Sequence, residues 1–164
     1  MRCAILTVST SVAAGVHEDG SGAALADHAA GIGAEVVARD IVSDDAIAIE
    51  AWLHARVADG VDLILTTGGT GFTPDDVTPE ATRAVIEREA PGFAEAMRAE
   101  SRQYTRMAML SRAVSGIAGG SFIINFPGNP KAITELFPVV APVLPHAVGT
   151  LHRQDGKRPE HPGR

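Results

Sequence analysis

Apolar residues in this chain fall either in short branched runs or at positions recurring every three or four residues. Cys3 to Val8, Glu35 to Asp40 (through Val36-Val37) and Val61 to Leu65 are runs of the first kind and predict strands. The polar, glycine-containing stretch Ser9 to Gly20 predicts a loop. Ser21 to Ile32 sets Leu25, Ala29 and Ile32 on one helical face, and the stretch ending near Ala58 does the same with Ala46, Ile49, Leu53 and Val57. Asp44 or Asp45 is the expected cap of that second helix, a carboxylate satisfying free N–H groups. Thr78-Pro79-Glu80 predicts another helix start, with threonine as cap, proline in the first turn and glutamate complementing the dipole.

Pro91-Gly92 breaks that helix, and Phe93, Met97, Ser101 and Tyr104 line one side of the next. Val114 to Ile117 and Ser121 to Asn125, separated by Ala118-Gly119-Gly120, predict a hairpin. Ile133, Leu136, Phe137, Val140, Leu144, Ala147 and Leu151 keep helical spacing, but Pro138, Pro142 and Pro145 interrupt it. An interior proline costs about 3 kcal/mol, so two helices are expected to meet near Pro138. Alternating strands and helices predict an α/β domain over residues 1–151, with 152–164 a flexible tail. The expected architecture is a three-layer sandwich: a mostly parallel central sheet, helices on both faces, and a small antiparallel hairpin element.

Two loops stand out against this frame. Thr66-Thr67-Gly68-Gly69-Thr70-Gly71 follows a predicted buried strand, at the carboxyl end where open α/β sheets bind ligands. Glycines there let backbone N–H groups approach an anion closely. Asp75-Asp76 follows at once, and hard carboxylates beside such a cradle suggest a magnesium-dependent phosphate site. Phe126-Pro127-Gly128-Asn129-Pro130-Lys131 occupies the same topological place after its own strand, either as a rigid turn or as a second ligand loop with Lys131 as a point charge. Asp44 follows the second strand. Ordinary cap or turn roles suit Asp44 and Asp76 singly; as a pair on neighbouring strand exits they suit one Mg²⁺ held against a triphosphate. Arg112, after Ser111, reads as a surface or salt-bridge residue or as a phosphate contact.

Composition narrows the remaining classes. The 164 residues are 45% hydrophobic, enough for one core; folding at this size buries about 70% of the unfolded surface. The net charge of −6, with acids and bases interspersed, argues against a nucleic-acid binder. Cys3 has no internal disulfide partner and reads as a core thiol, and no run approaches the ~20 apolar residues of a membrane span, so the cytoplasm is the expected compartment. The six histidines lack paired ligand spacing, which disfavours zinc. Neither a Walker A lysine nor a Gly-x-Ser-x-Gly elbow occurs.

Longer text carries a family likeness. Leu65 to Pro74 runs into Asp76-Val77-Thr78-Pro79-Glu80-Ala81-Thr82, followed by Ile86 to Gly92, Ala108 to Arg112, Ile123 to Ala132 and Leu144 to Ala147. With these motifs the chain resembles the molybdenum-cofactor biosynthesis family: the Mog and MoaB proteins and the matching domain of gephyrin. The resemblance implies a mostly parallel α/β fold assembled as trimers or hexamers. It also implies adenylyl transfer from Mg-ATP to the terminal phosphate of molybdopterin, releasing pyrophosphate and supplying a molybdenum insertase. Asp44 and Asp76 match the family's catalytic aspartates and are the expected Mg²⁺ holders. The expected ligand contacts are Ser9, Thr67, Gly68, Gly69, Thr70, Gly71, Ser111, Arg112, Pro127, Gly128, Asn129, Pro130 and Lys131. One departure is that Ser9 is followed by Thr10-Ser11 where many members carry Asp-Arg. The alternative reading is a non-catalytic MoaB-type protein that binds molybdopterin or acts as a scaffold.

Overall fold

Alternation along each strand decides which face of the sheet a residue serves. In β1 (Arg2–Val8), Cys3 and Ile5 pack on one side and Ala4, Leu6 and Val8 on the other. In β3 (Leu63–Thr67), Leu63 and Leu65 oppose Ile64; in β6 (Ser121–Phe126), Phe122, Ile124 and Phe126 oppose Ile123. Both faces are therefore apolar, as a sheet covered on both sides requires.

The computed structural model describes residues 1–152. Besides those three strands it contains β2 (Glu35–Val42), β4 (Arg88–Glu89) and β5 (Ser115–Ala118), in the order β2-β1-β3-β6-β5-β4. β2, β1, β3 and β6 run parallel, while β5 is antiparallel to both β6 and β4. Helices α2 (Gly20–Gly31), α5 (Gly92–Tyr104), α6 (Pro130–Val140) and α7 (Leu144–Leu151) bury residues against one face. Helices α3 (Ala46–Ala58) and α4 (Thr78–Val85) cover the other. The expected three layers and the β5–β6 hairpin are present. Among the described residues no single helix is long and apolar enough to cross a membrane. Cys3 is fully buried, and burial pushes its thiol pKa up to about 12, which makes it an inert core group.

Several boundaries differ from the sequence reading. A one-turn helix, α1 (Thr10–Ala13), interrupts the expected loop after β1. β3 starts two residues later than expected and continues through Thr66 and Thr67, both fully buried. α4 ends at Val85, because Ile86 turns extended and the chain pairs as β4 with β5. Thr78 does not cap α4: its hydroxyl donates to the Gly68 carbonyl at 2.9 Å. Pro138 lies inside α6 and not at its end; it is exposed, and the buried stripe Ile133, Leu136, Phe137 and Val140 holds the helix on either side. The bend to α7, 64°, comes between Val140 and Leu144. The expected tail lies, from residue 153 onward, outside the described residues.

Candidate functional site

The strand order fixes where a ligand can enter. From β1 the chain crosses to β2 through α2 on one face, then from β2 to β3 through α3 on the other. The loops leaving β1 and β3 therefore diverge, opening a crevice at the carboxyl ends of these two strands. Ser9 amide donates to the Val42 carbonyl at 2.9 Å, and Gly68 amide to the Phe126 carbonyl at 3.2 Å, so the exits of β1, β2, β3 and β6 are tied together. Thr67 hydroxyl adds a bond to the Pro127 carbonyl at 2.8 Å.

Glycine is required at the centre of this junction. Gly68 has φ +95° and Gly69 φ +62°, both left-handed, and a Cβ on Gly68 would overlap the Val8 carbonyl oxygen. A Cβ on Gly69 would run into the Thr78 hydroxyl and lie 3.4 Å from Asp44 Oδ1. A Cβ on Gly71 would lie 3.0 Å from Asp76 Oδ2. The two aspartates thus bracket one glycine loop, Asp44 against Gly69 and Asp76 against Gly71.

Each carboxylate is held in place. Asp44 Oδ2 accepts from the Thr10 amide at 2.8 Å and the Thr10 hydroxyl at 2.7 Å, leaving Oδ1 toward the loop. The helix cap is Asp45, whose Oδ1 accepts from Ile47 and Ala48. Asp76 Oδ2 accepts from the Thr73 amide at 2.8 Å and the Thr73 hydroxyl at 2.6 Å. Burial works to raise the Asp76 pKa, but hydrogen bonds from Thr73 and the Gly71 amide, with the Arg112 charge, hold it below the usual carboxylate range.

Arg112 is engaged as a clamp. Its Nε donates to the Gly71 carbonyl at 2.7 Å, another nitrogen donates to the Asp76 carbonyl, and the third pairs with Glu80. Its amide donates to the Thr70 carbonyl at 2.9 Å. All three guanidinium nitrogens serve the glycine loop and its surroundings.

Three hollows border the loop and its flanks. One, of about 450 Å³, is lined by Ser9, Ser21, Asp44, Gly68, Gly69, Gly128 and Pro130 among others. The second, of about 230 Å³, is mostly apolar, with Met97, Met107 and Leu110 beside Thr70, Gly71, Ser111, Asn125, Pro127 and Asn129. Asp76 and Arg112 line a shallower hollow with Phe72, Thr73 and Glu80. The expected site residues are therefore distributed around one wall and do not share a single cavity. Lys131 lines none of these hollows; its side chain is 82% exposed, and Nζ lies 3.8 Å from Glu135. Among the described residues no group of three or more His, Cys, Asp or Glu side chains is arranged to hold a metal. Mg²⁺ needs no such cage, since one or two carboxylates with substrate phosphates suffice, and the hard oxygens of Asp44 and Asp76 fit that donor set.

Sequence reasoning missed Asp19. It caps α2, with Oδ1 accepting from the Gly22 amide at 2.8 Å and the Thr7 hydroxyl at 2.9 Å, while Oδ2 pairs with Arg39 at 2.8 Å. Its signal was an ordinary one, an aspartate just before a helical pattern. Arg98, which lines the apolar hollow and donates to the Ala113 carbonyl at 2.8 Å, carried no signal. Burial pushes the Asp19 pKa up, but bonds from Arg39, Gly22 and Thr7 overcome this and lower it. A depressed folded-state pKa gives stability that is present above the unfolded value, about 3.9, and lost as pH falls through the folded one. Asp19→Ala is expected to cost about 1–2 kcal/mol at neutral pH. In urea melts the gap from wild type should narrow once the pH drops below about 3.9. A gap independent of pH would contradict this role.

Comparison with known proteins adds a second line. Residues 4–146 match the family model described as a probable molybdopterin binding domain. The molybdopterin adenylyltransferase of Helicobacter pylori strain J99 is 40% identical over 90% of this chain and 85% of its own length. Gephyrin of Dictyostelium discoideum is 47% identical over 63% of the chain. The chain spans 14% of that protein, 18% of the Drosophila melanogaster molybdenum cofactor synthesis protein cinnamon and 47% of a Synechococcus elongatus bifunctional protein. The crystal structure of the molybdopterin biosynthesis enzyme MoaB from Thermus thermophilus superposes with a TM-score of 0.88, at 43% identity, over 95% of this chain and 99% of that one.

Proposed function

The chain belongs to the molybdopterin-binding domain family, and on that premise we propose that it is a molybdopterin adenylyltransferase. The substrates are ATP and molybdopterin, and the products adenylylated molybdopterin and pyrophosphate. The observation that carries this reading is the glycine loop with a carboxylate fixed against each end, Asp44 at Gly69 and Asp76 at Gly71.

The reaction joins two anions. A terminal phosphate oxygen of molybdopterin attacks the α-phosphorus of ATP; that P–O bond forms as the bond to the bridging oxygen breaks, and pyrophosphate leaves with the electron pair. The attacking oxygen is already ionised near neutral pH, so no strong general base is required. The protein's tasks are proximity and charge neutralisation. Nucleotide phosphates suit the hollow beside Ser9, Asp44, Gly68 and Gly69. The flat pterin suits the apolar hollow, whose Ser111 and Asn129 offer polar groups among methionine and leucine walls. Gly69 borders one and Gly71 the other, so the two phosphates would meet across the loop. Mg²⁺, when bound, screens the repulsion and stabilises the leaving group. Asp44 and Asp76 would hold it from the two ends of the glycine loop, while Thr10, Thr73 and Arg112 keep those carboxylates and the loop in position.

The same reading takes a homotrimer as the assembled form and the cytoplasm as the compartment. Exposed Met107 and Met109, at 65% and 68%, support an apolar contact between copies. The test is to incubate the protein with molybdopterin, ATP and Mg²⁺ and to follow pyrophosphate. Release that depends on molybdopterin is expected; pterin binding without release would leave the non-catalytic alternative.

A further inference from the structure

Ser21 has a hydroxyl that the fold does not use. It sits in the first turn of α2, is only 9% exposed, and lines the crevice that also holds Asp44 and Gly69. Among the described residues its side chain has no hydrogen-bond partner, because the cap of α2 is made by Asp19 through Gly22, Thr7 and Arg39. The hydroxyl opens onto the crevice with its donor uncommitted to the fold, so it is available to a ligand bound there. The α2 N-terminus adds its partial positive charge at the same spot. Across the cavity, Gly69 and Gly128 present backbone without side chains.

The charged side chains around this cavity are those of Asp44 and Glu18, with His17 beside them, and neither lysine nor arginine lines it. Such walls repel a bare phosphate. They accept one that arrives complexed to a divalent cation, which the Asp44 carboxylate also attracts.

We propose that Ser21 and the first turn of α2 form a subsite for a cation-complexed phosphate group of the nucleotide, with the Ser21 hydroxyl donating to a phosphate oxygen. The subsite deepens the adenylyltransferase reading, on which the identity of its ligand rests.

Calorimetric titration tests it with Mg²⁺ and an ATP analogue carrying a methylene bridge between the α- and β-phosphorus. Ser21→Ala is expected to bind about tenfold more weakly than wild type with an unchanged melting temperature, the loss of one hydrogen bond to a charged group. Ser21→Thr, which keeps the hydroxyl, is expected to restore binding, and EDTA to abolish it in wild type. Equal affinity in Ser21→Ala, no binding by wild type, or binding that survives EDTA would overturn the subsite. Should Ser21→Ala fold poorly, Ser21→Cys decides: the Mg²⁺–analogue complex is expected to protect its thiol from alkylation, and unprotected labelling counts against the subsite. Wild type that makes pyrophosphate while Ser21→Ala binds the analogue normally sinks the subsite alone. Tight, Ser21-dependent binding without AMP transfer sinks the transferase reading alone.

Discussion

Asp44→Asn is expected to lower pyrophosphate release about 10²-fold or more while leaving the fold intact. The substitution keeps an oxygen that can accept from the Thr10 amide and hydroxyl, the two bonds that fix the wild-type side chain. What it removes is the negative charge beside Gly69, where a cation bound to the nucleotide would sit. Asp76→Asn tests the other end of the loop, and Thr73 can still donate to its remaining oxygen. Circular dichroism melts separate loss of chemistry from loss of structure: a melting temperature near wild type with turnover lost is the expected pair. Full turnover in either variant would remove the charge role from that aspartate.

Gly68→Ala is expected to be the most destabilising single substitution in the loop, at about 3 kcal/mol or more. Two costs add. The left-handed conformation at φ +95° costs an L-residue about 1–2 kcal/mol. The new Cβ would also overlap the Val8 carbonyl, a backbone atom of a central strand that has no room to yield. Gly33→Ala supplies the control: φ is +76°, but nothing lies within 4 Å of the added carbon. That variant should lose only the conformational cost of about 1–2 kcal/mol. Denaturant melts of both proteins measure the difference, and equal losses would show that the approach to Val8 is not tight.

The layers of the fold were legible because each core strand is apolar on both faces and each covering helix carries its own stripe. Ile49 and Leu53 of α3, and Leu25 and Ala29 of α2, are fully buried as their spacing predicts. Long-range pairing was not legible. β4 is two residues of exposed Arg88 and Glu89, and only their register with Gly116 and Ile117 makes them a strand. A side chain at Gly116 would crowd the Arg88 carbonyl and Ile86, a contact that no local pattern announces. Thr66 and Thr67 read as loop because they are polar. In the folded chain Thr66 receives a bond from the buried Asn125 amide, and Thr67 donates to Pro127.

In the site, residue types on strand exits were readable and side-chain commitments were not. Asp44 and Asp45 were equal candidates for the α3 cap; geometry gives the cap to Asp45 and turns Asp44 toward Thr10 and the loop. Arg112 was open between a salt bridge and a phosphate contact, and its nitrogens are taken by Gly71, Asp76 and Glu80. Ser21 and Asp19 were hidden by their ordinary place in a helix start, since burial and pairing depend on where Arg39 and Thr7 arrive from other strands.

A crystal structure with Mg²⁺ and a non-hydrolysable ATP analogue bears most directly on the claim that strand exits assemble one polyphosphate site. Density for the phosphates in the crevice between Ser9 and Gly69, with the cation against Asp44, is the predicted result. Phosphates bound at the β4 edge or over the outer faces of α3 and α4, away from the glycine loop, would contradict it.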